Sequence, residues 1–164
     1  MATKLFVTEE EGAALKACSD LVELRTEERV QFIDLTALVA ERVRRSGIWQ
    51  GLVCVQTRHT TAAVTVNENE PRLVEDMKAL LERLAPRDAR YAHNDRLRPA
   101  GDLPPGESEN GDAHCRALLL GASQTLTIVG GELQLGRWQS LFLVELDGPQ
   151  KRSVSIVVLG TRRG

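Results

Sequence analysis

The sequence predicts an α+β domain dominated by antiparallel pairing. Three observations carry this. Strand-like runs open and close the chain, amphipathic helical periodicities are inserted between them, and the later strand runs are joined by short Gly-Gly and Asp-Gly-Pro turns. A length of 164 residues fits one compact unit, long enough to bury ~70% of the surface its unfolded form exposes.

Taken in order, residues 1–18 form an N-terminal extension with a short strand or helix, and residues 19–164 form the single domain. "SDLVELRT" (19–26) alternates Leu21 and Glu23 with Val22 and Leu24, and "VQFIDLT" (30–36) is rich in strand formers, so the pair reads as a hairpin. "TALVAERVRRSG" places Leu38, Val39, Arg42 and Val43 at helical spacing, with cationic residues in the last turn and Gly47 just past the end. From Gly51 to about Glu68 the alternation predicts one long strand with Val53, Val55, Thr57, His59, Thr61 and Ala63 on one face, unless a bulge intervenes. Pro71 suits the first position of a second helix, whose apolar face is Leu73, Met77, Leu80, Leu81 and Leu84, up to Pro86.

The stretch 86–112 carries four prolines and three glycines with hardly an apolar residue, and is too long for an idle connection, which predicts a functional loop. Asp112 can cap a short helix, "AHCRALLLG", closed by Gly121. Strand-like runs follow: "SQTLTIVG", "ELQLGRWQSLFLVEL" and "RSVSIVVLGT".

Composition excludes several classes. Charged residues at 27% and hydrophobic ones at 42% rule out wholesale disorder, and 21 basic against 23 acidic residues leave no global field to attract nucleic acid or an anionic membrane. No run approaches ~20 apolar residues, and the N-terminus lacks a basic region followed by an apolar stretch. Cys18, Cys54 and Cys115 form neither a CxxC pair nor an even framework, which fits a reducing, cytoplasmic compartment. The absence of GxxxxGK[ST] and GxGxxG argues against a nucleotide-binding fold.

The chemistry-bearing residues each have two readings. His59, His93 and His114 match no compact metal signature and are either satisfied imidazoles or a site that converges in space. His114 would lie in the first turn of its helix, where the dipole favours neutral imidazole. The small residues of "HTTAA" suit a pocket wall or a strand packed closely under a helix. Glu68, Glu70 and Asp76 complement the dipole of the second helix, and Glu68 also ends the strand that carries His59. "LGRWQS" suits stacking on a flat ring through Trp138, with Gln139 bonding its edge; alternatively Trp138 fills the core. Lys151 and Arg152 are solvated, or bind an anion with Arg58 and Arg137.

"HTTAAVTVNENEP", "YAHND", "DAHCRALLLGAS" and "LQLGRWQSLFLVELDGPQKR", in that order, resemble the YjbQ-like family, whose members carry the label of secondary thiamine-phosphate synthases. The likeness spans about residues 19–160. His59, His93 and His114 fall on the family's histidines, and Glu68, Asp76, Gly136, Trp138, Gln139 and Glu145 also match. It implies two helices on sandwich-like sheets of about seven strands, with a further short helix, and a homotrimer whose histidines lie near a cleft at or beside the subunit interface.

For function, the resemblance implies a divalent metal, Zn²⁺, on His59, His93 and His114, with His59, His114 and Glu68 catalytic. Arg58, Arg137 and Arg152 would bind a small phosphorylated metabolite, and Trp138 with Gln139 would hold its heterocycle. In the named reaction a thiazole nitrogen displaces pyrophosphate from a pyrimidine methyl carbon, chemistry that favours Mg²⁺ on carboxylates, whereas imidazoles favour zinc. The alternatives are a metal-dependent hydrolase and a non-catalytic trimeric protein that sequesters a phosphorylated metabolite or a metal.

Overall fold

The computed structural model describes residues 14–95 and 109–163; the expectations for residues 1–13, and for 96–108 of the long loop, lie outside the described residues. The elements are β1 (Lys16–Arg25), β2 (Gln31–Asp34), α1 (Thr36–Ser46), β3 (Ile48–Thr57), β4 (Ala62–Glu68), α2 (Pro71–Leu84), a single 3-10 turn at Ala92–Asn94, α3 (Gly111–Leu120), β5 (Ser123–Val129), β6 (Glu132–Leu133), β7 (Gln139–Glu145) and β8 (Lys151–Arg162). The fold is α+β, with eight described strands in two antiparallel sheets, ordered β1-β8-β3-β5-β6 and β2-β7-β4.

The main core lies between the sheets. Val53, Val55, Val154, Ile156 and Val158 from the larger sheet meet Val64, Leu141 and Leu143 from the smaller, with Leu35, Val39 and Val43 of the α1 region joining them. The opposite face of the smaller sheet packs Ala63, Phe142 and Val144 against Leu81 of α2 and Ala113 of α3. Phe32 meets Phe142 edge to face at 5.7 Å. The smaller sheet is thus covered on both faces, which is why β7 reads as a continuous apolar run rather than an alternation.

Local chemistry sets the helix ends. Gly47 closes α1 in the left-handed conformation at φ 69°. Glu70 accepts from the amides of Arg72 and Leu73 to cap α2, with Pro71 following in the first turn.

Four expectations change. The runs at 19–26 and 30–36 are not a hairpin: β1 pairs with β8 and β2 with β7, so they lie in different sheets. Strand β1 also begins at Lys16, inside the segment read as an extension. The long strand from Gly51 to Glu68 breaks at residues 58–61, where the chain passes from the larger sheet to the smaller. Asp112 is the second residue of α3 rather than its cap; Asn110 holds that position, and the Asn94 side chain accepts the Gly111 amide at 2.9 Å.

Candidate functional site

Where β8 begins, Lys151, Arg152 and Ser153 line a cleft of about 550 Å³ together with Glu23, Leu24, Arg25 and His59. The register explains the grouping: Leu24 and Arg25 of β1 pair with Arg152 and Lys151, while β3 leaves β8 at the Thr57–Val154 pair and delivers His59 beside Ser153. Arg25 and Lys151 are exposed, and Arg152 is 6% exposed.

Arg152 is held from beneath. Its Nε donates to Glu145 Oε2 at 2.6 Å, and its Nη2 binds Glu145 Oε1 and donates to Thr61 Oγ1 at 3.0 Å. Thr26 Oγ1 and the amides of Leu146 and Asp147 also donate to the Glu145 carboxylate. Burial alone would raise the Glu145 pKa, but the Arg152 guanidinium and the Asp147 amide hold it below the usual carboxylate value.

His59 accepts a hydrogen bond at Nε2 from the Ser153 amide, 2.8 Å away, with Ser153 Oγ at 3.1 Å. Burial lowers its pKa, and the positive charges of Arg152 and Arg58 lower it further against the opposing effect of Glu145. Both this shift and the Ser153 amide donating to Nε2 favour the neutral imidazole over the imidazolium.

A second group surrounds the start of α3. The rings of His93 and His114 stand edge to face at 4.6 Å. Arg29 bridges Asp112 at 3.0 Å and Asp147 at 3.2 Å, Asn110 donates to Asp147 at 2.8 Å, and Arg116 donates to the Ala85 carbonyl and to Glu82. This network ties α3 to the end of β7 and the end of α2.

The structure separates the remaining candidates from the cleft. Glu68 is paired in register with Gln139, and Ala62 with Glu145, so Glu68 and Gln139 lie at the far end of seven-residue strands, about 20 Å from the Arg152 pair. His59 lies in the turn before β4 and Glu68 is the last residue of that strand, so the length of β4 stands between them. Trp138 is 63% exposed rather than a core residue, stacked under Arg137 at 4.8 Å. The turn that presents both closes on itself, since the Gly136 amide donates to Gln139 Oε1 at 2.8 Å and the Gln139 amide to the Gly136 carbonyl at 2.9 Å. Among the described residues no group of three or more His, Cys, Asp or Glu stands close enough to hold a metal ion. The three histidines thus divide into a pair, His93 with His114, and a separate residue, His59.

Sequence reasoning did not single out Arg25, Thr26, Arg29, Asn110, Arg116, Asp147 or Ser153 as parts of these groups. Most come together through strand register and helix docking, which leave no local signature. The exception is "ELDGPQKR", whose acid and base flank one turn; that spacing signals an ion pair across a hairpin.

The two sheets, their helices and a cationic cleft beside an imidazole define a small antiparallel α+β domain. Within that class, residues 20–161 match the model of the UPF0047 protein YjbQ-like family, and the chain belongs to it. A UPF0047 protein of Methanothermobacter thermautotrophicus is 40% identical over 149 residues, covering 91% of this chain and 96% of that protein. The UPF0047 protein YugU of Bacillus subtilis is 31% identical, covering 85% and 97% of the two chains. Among solved structures, a YbjQ-like protein of unknown function from Sulfolobus solfataricus P2 superposes with a TM-score of 0.80 at 31% identity, over 90% of this chain and 99% of that one. A hypothetical protein from Aeropyrum pernix K1 does so with a TM-score of 0.75 at 37% identity, over 87% and 98%.

Proposed function

We propose that the chain binds a small phosphorylated metabolite in the cleft at the start of β8 and carries out chemistry of the secondary thiamine-phosphate synthase type. The observation that supports this is the convergence of Arg25, Lys151, Arg152 and His59 on one cleft. Cations with water partly excluded favour an anion, and they favour it most where negative charge grows on a leaving group.

In that reaction the thiazole nitrogen forms a bond to the pyrimidine methyl carbon while the carbon–oxygen bond to pyrophosphate breaks, the electron pair leaving with pyrophosphate. Lys151 and Arg25 would neutralise the departing anion. Arg152, fixed by Glu145 and Thr61, would orient it. Arg58 follows the last paired residue of β3 and, without lining the cleft, would add positive charge beside His59. Trp138, Gln139, Arg137 and Glu68 lie too far away to hold the same ligand within one chain, so their part in it requires a second subunit.

The implied metals fit poorly. A tri-imidazole zinc centre needs three nitrogen lone pairs around one point, and here His59 offers Nε2 to a backbone amide while the other two histidines pair elsewhere. For Mg²⁺, Glu23 is the single carboxylate among the described residues that line the cleft, which is no dedicated cage. Magnesium would enter with a pyrophosphate substrate, and the chain's own cations would supply the remaining neutralisation.

A second reading is a binding protein without turnover. His59, the imidazole lining the cleft among the described residues, has its basic nitrogen occupied, which favours holding a ligand over moving a proton. The hydrolase reading draws on the His93–His114 pair, which would need ligands from beyond the described residues. We place the chain in a homotrimer, because the outer face of the larger sheet leaves Leu21, Leu52, Val129, Val157 and Leu159 between 37% and 49% exposed. Three free cysteines support a reducing, cytoplasmic setting.

Calorimetry with pyrophosphate and thiamine phosphate tests the cleft, and product analysis separates catalyst from binder. Binding that Lys151→Ala weakens supports the cleft; binding indifferent to Lys151→Ala and Arg25→Ala overturns it. Bound pyrophosphate without turnover of the paired substrates selects the binding protein. Sedimentation as a monomer would remove the trimer.

A further inference from the structure

We propose that His59 stands in the cleft as a neutral imidazole carrying its proton on Nδ1, that it donates this N–H to an oxyanion of the bound ligand, and that it is not a transition-metal ligand. The donor part rests on the reading of the cleft as an anion site; the exclusion of metal rests on hydrogen bonding alone.

The geometry follows from how β3 departs from β8. The last in-register pair is Thr57 with Val154, after which the Arg58 amide still donates to the Ser153 carbonyl at 3.2 Å. The His59 backbone amide turns back onto Thr57 Oγ1 at 3.3 Å, and its ring supplies the next acceptor, taking the Ser153 amide at Nε2. An amide N–H can only donate, so Nε2 must present its lone pair. The hydroxyl of Ser153, at 3.1 Å, can donate to the same nitrogen.

A neutral imidazole with an accepting Nε2 has its hydrogen on Nδ1. Neither nitrogen is then free for a metal, because one lone pair is engaged and the other nitrogen is protonated. A second proton would set an Nε2–H against the Ser153 amide, beside the guanidinium of Arg152. Nδ1 makes no hydrogen bond among the described residues, while the ring is half-buried and lines the cleft with Lys151 and Arg152. A donor so placed calls for an acceptor, and the surrounding cations select one with negative charge. A phosphate or pyrophosphate oxygen has that character.

The test is long-range proton–nitrogen NMR on the full chain near neutral pH, with the His59 signals assigned by their loss in His59→Leu. The expected result is the Nδ1–H tautomer, a saturable shift of Nδ1 on adding inorganic pyrophosphate, and an unchanged pattern with one equivalent of Zn²⁺. His59→Leu should weaken pyrophosphate binding about tenfold. His59→Gln, which keeps both an acceptor and a donor, should retain more of it. An Nε2–H tautomer, or loss of the Nδ1–H pattern on adding zinc, would overturn the proposal. A pyrophosphate response confined to Lys151, with His59 unmoved, would reduce the ring to a cap on the Ser153 amide and overturn the donor role. Absence of any calorimetric binding would instead strike the cleft reading, and the donor role with it, while the tautomer still decided the metal question.

Discussion

Glu145 and Arg152 face each other across the turn between β7 and β8 as a two-point ion pair, 0% and 6% exposed. Removing one partner leaves the other charged, buried and uncompensated. Glu145→Ala should therefore destabilise the fold by about 3–5 kcal/mol, read as a lower urea midpoint. The double change Glu145→Leu with Arg152→Met should cost less than that single change. A double variant as unstable as the sum of the two singles would show that the pair is not coupled.

Acidification should weaken the protein through His59. Its folded pKa lies below the ordinary 6.5, so between that value and the lower one the unfolded chain binds more protons than the native chain. Stability from this residue is thus fully present above about pH 6.5 and is lost as pH falls through the folded value. Urea midpoints across this range should fall less steeply for His59→Gln than for the parent. At lower pH the depressed Glu145 adds a second decline, below the ordinary carboxylate pKa. Parallel profiles for parent and variant in the upper range would contradict the His59 assignment.

Gly51 and Gly160 are direct cross-strand partners of β3 and β8. A Cβ on Gly51 would sit 2.1 Å from the Leu159 carbonyl oxygen, and one on Gly160 would sit 2.0 Å from that of Gln50. Those neighbours are backbone and cannot step aside without breaking the ladder. Gly51→Ala and Gly160→Ala should each cost at least about 1–3 kcal/mol, measured by chemical denaturation. An unchanged midpoint in either would show that the two strands can separate there at no cost.

These cases show which parts of the structure the residues announce. The helices were readable because Pro71, Gly47 and the apolar spacing act within a turn or two of the chain. The apolar run of β7 was readable as a strand, though its burial on both faces came only with the packing of the helices. The break at Arg58–Thr61 was not readable, since alternation continues on paper while the strand changes sheets; the length of β4, not this turn, separates His59 from Glu68. Trp138 left two readings open, and only the core one is removed: a closed turn from Gly136 to Gln139 holds it outward. The pairing of β1 with β8, more than 120 residues apart, has no local signal, and without it neither Arg25 nor Ser153 can be placed beside His59.

The segment that carries His93 docks on α3 through Gly111, and this contact can be tested apart from the cleft. A Cβ on Gly111 would lie 2.5 Å from Tyr91 Cβ and 2.7 Å from Tyr91 Cγ, while the Gly111 amide already binds Asn94 Oδ1. Tyr91 is tied in turn to the Pro86 carbonyl at 2.8 Å, so it cannot swing aside without giving up that bond. Gly111→Ala should therefore lift residues 91–95 from the helix and separate the His93 and His114 rings, at a cost of about 1–3 kcal/mol. The measurement is the ring-to-ring nuclear Overhauser effect between the two histidines, which should vanish. The His59 tautomer and pyrophosphate affinity should stay within about twofold, a difference below 0.5 kcal/mol, because the cleft shares no residue with this contact. Persistence of the Overhauser effect would show that the segment has another anchor, and a matching loss of pyrophosphate binding would show that the two histidine groups act as one site.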